Sequence, residues 1–120
     1  MLRKAKNCNE LCPADMQVID SISGKWTVLI VHVLAEKQIR SAQLRREVEG
    51  ISDKVLTQRL RRLERDGLVK RQIFPTVPPQ VEYSLTKLGR SLVELLSGVR
   101  DWAEKNYSEV KTARQKYDRR

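Results

Sequence analysis

Between Asp53 and Asp66 the residues able to do chemistry are cations and amides, and their spacing is helical. At about 100° per residue, Lys54, Gln58, Arg61 and Arg65 fall within an arc of roughly 60°, while Val55, Leu56, Leu60 and Leu63 gather on the other side. Thr57 and Arg62 flank the cationic side, and Glu64 and Asp66 lie off its centre. Arginine can bond both acceptors of a guanine edge, glutamine can pair with adenine, and threonine can touch a thymine methyl. A helix carrying this set suits the major groove of duplex DNA. A merely solvated helix face is the competing reading, and the flanking elements must decide between them.

The remaining reactive residues point away from catalysis. Cys8 and Cys12, separated by three residues, are too few for a metal site, and a structural disulfide is not expected in a chain that otherwise reads as cytoplasmic. The one histidine, His32, sits in an apolar run and reads as a core or interface residue. Gly24-Lys25-Trp26-Thr27 lacks both the glycine spacing and the hydroxyl directly after lysine that a phosphate loop needs. No Ser/His/Asp or Cys/His set can be assembled, so neither an enzyme nor a cofactor is expected.

The 120 residues suffice for one modest core. Lys and Arg number 24 against 15 Asp and Glu, a formal charge of +9 that favours a polyanionic partner. The longest apolar run, Val28 to Ala35 interrupted by His32, is too short to span a bilayer, and the basic start Met1 to Lys6 has no apolar stretch after it to make a secretory signal.

Elements can be placed around the cationic helix. Met16, Val18, Ile19 and Ile22 make Asp15 to Ile22 a short amphipathic helix ended by Ser23-Gly24, and Trp26 to Ala35 reads as a core helix, apolar nearly all round. Ile39-Arg40 is extended at most briefly, Ser41 is a plausible N-cap for a helix from Ala42 to Val48, and Ser52 caps the helix that Gly67 stops. Leu68 to Phe74 and Val81 to Leu85 pattern as two strands of a hairpin, joined by the stiff, projecting loop Pro75 to Gln80. Thr86 caps a last helix whose Leu88, Leu92, Leu95, Leu96, Val99, Trp102 and Ala103 repeat at three- and four-residue steps. Residues 108–120 are polar and read as frayed helix or loose arm.

The chain resembles the HxlR-type winged helix-turn-helix regulators, relatives of the MarR type. The matching positions are Cys12-Pro13, Gly24-Lys25-Trp26-Thr27, Leu44-Arg45-Arg46, Gly50-Ile51-Ser52, Leu56-Thr57-Gln58-Arg59-Leu60 and Leu63-Glu64. They continue through Asp66-Gly67-Leu68-Val69, Val77-Pro78-Pro79, Val81-Glu82-Tyr83-Ser84-Leu85-Thr86 and Gly89, ending near Trp102. The resemblance implies a dimer formed by the first and last helices, a recognition helix in the major groove, and a wing at the backbone or minor groove. Two positions depart from the pattern: Ser41 stands where an aromatic residue is common, and Gln80 where a basic one is. The resemblance also implies that a cysteine at the place of Cys12 can sense oxidants or electrophiles, with Cys8 or the other subunit's thiol as resolving partner. A buried small apolar side chain is the other reading of Cys12.

The expectation is therefore a mainly α fold with a small β-hairpin, a winged helix-turn-helix over about 24–86 with dimerisation helices at about 12–23 and 87–107. Its function would be a homodimeric transcription regulator, a repressor or autoregulator, on a pseudo-palindromic duplex; a non-specific nucleoid or RNA-binding module is the alternative. Lys54, Thr57, Gln58, Arg61 and Arg62 are the candidate base or groove contacts, and Arg59, Arg65, Lys70, Arg71 and Gln80 the candidate phosphate or wing contacts. Met16, Ile19, Leu92, Leu95, Leu96, Val99 and Trp102 are the candidate dimer contacts. No membrane partner is expected, and the operator and any small-molecule or oxidant effector stay open.

Overall fold

Apolar residues recur at helical steps up to Leu63, alternate along Val81 to Leu85 and return to helical steps after Thr86, and the order of elements follows those changes. The computed structural model describes residues 13–120. They form α1 (Pro13–Ile22), α2 (Lys25–Leu34), β1 (Ile39–Arg40), α3 (Ser41–Glu47), α4 (Asp53–Arg65), β2 (Val69–Phe74), β3 (Gln80–Leu85) and α5 (Lys87–Asp118). Cys8 and Cys12, with every role assigned to them, lie outside the described residues.

The core is filled from α2, α3, α4 and the sheet. Ile30, Leu44, Leu60 and Leu63 are all at most 2% exposed, so truncating any one, as in Leu63→Ala, should cost roughly 2–5 kcal/mol through lost transfer energy and the cavity left behind. α2 buries Thr27, Ile30, Val31 and Leu34, one face at three- and four-residue steps. His32 falls off that face and is exposed, which corrects its reading as a core residue. It borders a cleft with Val28, Val93, Leu96, Ser97 and Arg100, where α5 crosses α2.

The sheet has one more strand than the hairpin expected. β3 is central, with β2 on one side and the two-residue β1 on the other, all antiparallel. Ile39 pairs with Tyr83 and Arg40 with Glu82, and Gln38 Nε2 donates to Glu82 Oε1 at 2.8 Å. Because Arg40 is held in this ladder, the helix begins directly at Ser41, which is the first residue of α3 and not its cap.

Two glycines set the joint between α4 and the wing. Gly67, at φ +77°, lets the chain leave α4 by a Schellman motif: Leu68 N–H donates to Leu63 O at 2.9 Å and Gly67 N–H to Glu64 O at 3.0 Å. Thr86 caps α5 by accepting from Gly89 N–H, and its hydroxyl donates to Gly67 O at 2.6 Å. Gly89 is packed so closely that a Cβ would lie 2.0 Å from the Leu68 carbonyl oxygen. The close approach fixes the start of α5 against the start of β2.

α5 runs 32 residues, about 48 Å, and is helical through Asp118, so residues 108–118 continue the last helix instead of forming a loose arm. Its apolar residues divide between two faces. Leu96 is buried in the chain's own core and Leu92 and Val93 pack against it, whereas Leu88, Leu95, Val99 and Trp102 are exposed. Leu96 is therefore a core residue and not a free dimer contact, because it sits nearly a quarter-turn around the helix from the exposed row.

Candidate nucleic-acid interface

The surface is built on α4. Ser52 caps it as expected: its side chain accepts from Val55 N–H at 3.1 Å, and Asp53 in the first turn opposes the positive end of the helix dipole. Arg45 of α3 reaches Asp53 Oδ1 at 2.8 Å across the turn; the pair is exposed and contributes at most about 1 kcal/mol. Val48 and Ile51 are buried in that turn, so the angle between α3 and α4 is set by packing as well as by backbone.

With Leu56, Leu60 and Leu63 buried, the rest of the helix turns outward. Lys54, Thr57, Gln58, Arg61 and Arg65 are exposed, and Arg59 is half-buried toward the core side. None of Lys54, Arg61 and Arg65 has a carboxylate within ion-pair distance among the described residues. Their charge is available to an outside partner.

Arg62, the remaining groove candidate, differs in being bonded within the chain. Its Nη2 donates to Asp20 Oδ2 at 2.6 Å and its Nε to Ser21 Oγ at 3.0 Å. Ser21 Oγ donates in turn to Gln17 O at 3.0 Å, and Thr27 Oγ1 donates to Ser21 O at 3.3 Å. Arg62 thus ties α4 to the end of α1, about 80° around the helix from Lys54. Asp20 and Ser21 had no signal in the sequence, since the partners stand 42 and 41 residues away from Arg62. Thr27 is part of the same junction, while Lys25 stacks over the Trp26 ring at 4.5 Å, so the Gly24–Thr27 motif has a structural use.

The wing lies beyond. Lys70 and Arg71 are exposed on β2, and Gln80 is half-exposed opposite Phe74 at the far end of the hairpin. Apolar side chains are also exposed on α5 and on α1. Leu95, Val99 and Trp102 line an open apolar groove with Glu94 and Gly98, and Met16, Val18 and Ile19 of α1 are likewise exposed. Leu88, Tyr107 and Tyr117 add to the uncovered set. Among the described residues no helix is long and apolar enough to cross a membrane.

Comparison with known proteins agrees with this architecture. The family model for the HxlR-like helix-turn-helix matches residues 21–111. YtfH of Escherichia coli strain K12, described as an HTH-type transcriptional regulator, is 43% identical over 105 residues, covering 88% of this chain and 82% of its own. Among solved structures, YtfH from Salmonella typhimurium, described as a transcriptional regulator, superposes with TM-score 0.80 at 39% identity, covering 91% of this chain and 97% of that one. The redox regulator HypR in its oxidized form does so with TM-score 0.70 at 38% identity, covering 79% and 97%. The chain belongs to the HxlR-like helix-turn-helix family of transcription regulators.

Proposed function

We propose that the protein is a sequence-specific transcription repressor or autoregulator that binds a pseudo-palindromic duplex as a homodimer. The observation that carries this reading is the exposed arc of Lys54, Gln58, Arg61 and Arg65 on the second helix of the helix-turn-helix, opposite a fully buried leucine face. Gln58, Arg61, Lys54 and Thr57 reach base edges or the groove wall. Arg65, Lys70 and Arg71 take phosphates, and Arg59 does so only at the edge of the footprint. Arg62 orients the helix from behind through Asp20 and Ser21.

The second copy is argued from α5. At 100° per residue the exposed Leu88, Leu95, Val99 and Trp102 lie in one row, and Val110, Ala113 and Tyr117 continue it. An isolated helix as short as the last three turns of α5 is marginal in water, and a two-fold mate laid on the row, together with Met16 and Ile19 of α1, would cover it. The mate would then present its own α4 about 34 Å away, one turn of DNA, or a multiple of it.

The likeness to HypR supports a further reading, that oxidation of Cys12 alters DNA affinity. Cys12 immediately precedes Pro13, the first residue of α1, and α1 is tied to α4 through Arg62, so a change at the thiol has a mechanical route to the reading helix. An oxidant response left intact in Cys12→Ser would refute this part. The DNA-binding reading itself is tested by selection from a randomised duplex pool followed by competition with mixed-sequence duplex. A preferred site that resists competitor by a thousandfold or so is expected; equal competition would leave a non-specific module.

A further inference from the structure

The outward face of α5 carries side chains whose spacing is the same in both directions. Trp102, Val99 and Leu95 stand four, seven and eleven residues before Asn106, and Val110, Ala113 and Tyr117 stand four, seven and eleven after it. At about 100° per residue all seven fall within an arc of roughly 80°, and the row drifts by only about 20° in eleven residues. A straight helix laid alongside can therefore follow all of it. Leu95, Val99, Trp102 and Tyr117 are each more than half exposed. Two open grooves flank Asn106: Glu94 and Gly98 border the one at Leu95, Val99 and Trp102, and Lys116 borders the one at Ala113. A Cβ at Gly98 would meet nothing within 4 Å, and glycine weakens a helix interior, so packing within the chain gives no reason for it.

A two-fold interface uses the same patch on both subunits, so the patch must complement itself when turned around. A row symmetric about one residue does so when the two copies run antiparallel. We infer that α5 lies antiparallel on α5 of a second copy, with the two-fold axis passing between the two Asn106 side chains. This rests on the homodimer reading above and adds its orientation, register and axis. Trp102 then faces Val110 of the mate, Val99 faces Ala113 and Leu95 faces Tyr117, so every layer sets a larger side chain against a smaller one. Glu94 and Lys116 lie within about 40° of each other around the helix, on one flank of the row. Turning the mate about Asn106 brings its Lys116 between Glu94 and Gly98, where the missing Cβ leaves room for the lysine stem. Parallel copies would set Glu94 on Glu94 and Lys116 on Lys116 and would align the helix dipoles side by side. Asn106 itself fits only at the axis. Its Nδ2 donates one N–H to Trp102 O at 2.9 Å, which leaves the second N–H and Oδ1 for a partner. An identical amide across the axis takes both, whereas any other member of the row would take neither.

The experiment uses the full chain with Cys8 and Cys12, its only cysteines, replaced by serine, and introduces one cysteine at a time for oxidation by copper phenanthroline. Asn106→Cys should link to its own copy, since facing positions on packed helices come within disulfide reach. Val99→Cys chains should not link to one another, because antiparallel pairing sets those positions about 21 Å apart along the axis, and Ala113→Cys chains should not either. Mixed and re-equilibrated, the two variants should link to each other. Sedimentation velocity gives a second reading. Asn106→Asp sets two carboxylates face to face and should raise the dimer dissociation constant about tenfold or more, whereas Gln115→Glu, on the opposite side of the helix, should change it less than about twofold. A dimeric wild type overturns this inference alone if Val99→Cys links to itself, if Asn106→Cys does not, or if Asn106→Asp dimerises unimpaired. A wild type that stays monomeric overturns the homodimer reading and this one with it.

Discussion

Replacing Arg71 by alanine separates phosphate binding from base reading in one series of titrations. Arg71 is exposed on β2 and has no carboxylate partner among the described residues. Its removal should therefore leave the fold intact. Each phosphate neutralised contributes about 0.9 to the slope of log K against log salt, so losing one contact in each of two subunits should flatten the slope by about 1.8. Between about 50 and 200 mM salt, a span of roughly 0.6 in log units, the wild type's advantage over Arg71→Ala should shrink about 12-fold. Fluorescence anisotropy on the selected duplex and on mixed-sequence DNA reads both quantities. Gln58→Ala is the contrast: it should cost about 1–3 kcal/mol per contacted base on the selected duplex and leave the slope unchanged. If Arg71→Ala keeps the wild-type slope, or Gln58→Ala loses equally on both DNAs, the assignment of β2 to phosphates and α4 to bases is wrong.

Other perturbations test the scaffold. Trp102→Glu combined with Leu95→Glu places charge on the exposed row of α5 without touching Leu96, and sedimentation velocity should find the wild type dimeric and the variant a folded monomer; a variant dimer, or a wild-type monomer, would mean that this row is not the interface. Gly89→Ala forces a Cβ against the Leu68 carbonyl and should lower stability by roughly 2 kcal/mol or more in urea titration, so a wild-type midpoint would show that the close approach is not maintained in solution. Ser52→Ala removes the cap of α4; a loss of about 1 kcal/mol and a melting temperature lower by a few degrees are expected, and no change would indicate that the first turn is held by packing on Ile51 and Leu56 alone.

Much of this architecture was legible because single residues carry local signals. Ser52, Gly67 and Thr86 mark helix ends by backbone chemistry, and the leucines of α4 point inward at the period of an isolated helix. Contacts between distant segments were not legible. Arg62 shares the composition of its neighbours, and only the packing of α1 beside α4 shows that its guanidinium is already engaged. His32 misled because α2 is apolar at most positions, which hides that only Thr27, Ile30, Val31 and Leu34 are fully buried and that His32 is exposed. In α5 a single hydrophobic stripe in the sequence is two faces in space, one around Leu96 and one around Val99. Its polar last turns obscured the helix beyond Tyr107, because Asn106 interrupts the apolar row before Val110, Ala113 and Tyr117 resume it.

The central claim is that the outward face of α4 meets base edges in two places related by a two-fold axis. Dimethyl sulfate protection of guanine N7 on a selected duplex reads the major groove directly. Two protected patches about one helical turn apart, or a whole number of turns, both lost in Arg61→Ala, are the predicted result. A duplex bound with no N7 protection, or with protection that survives removal of Arg61 and Gln58 together, would contradict it.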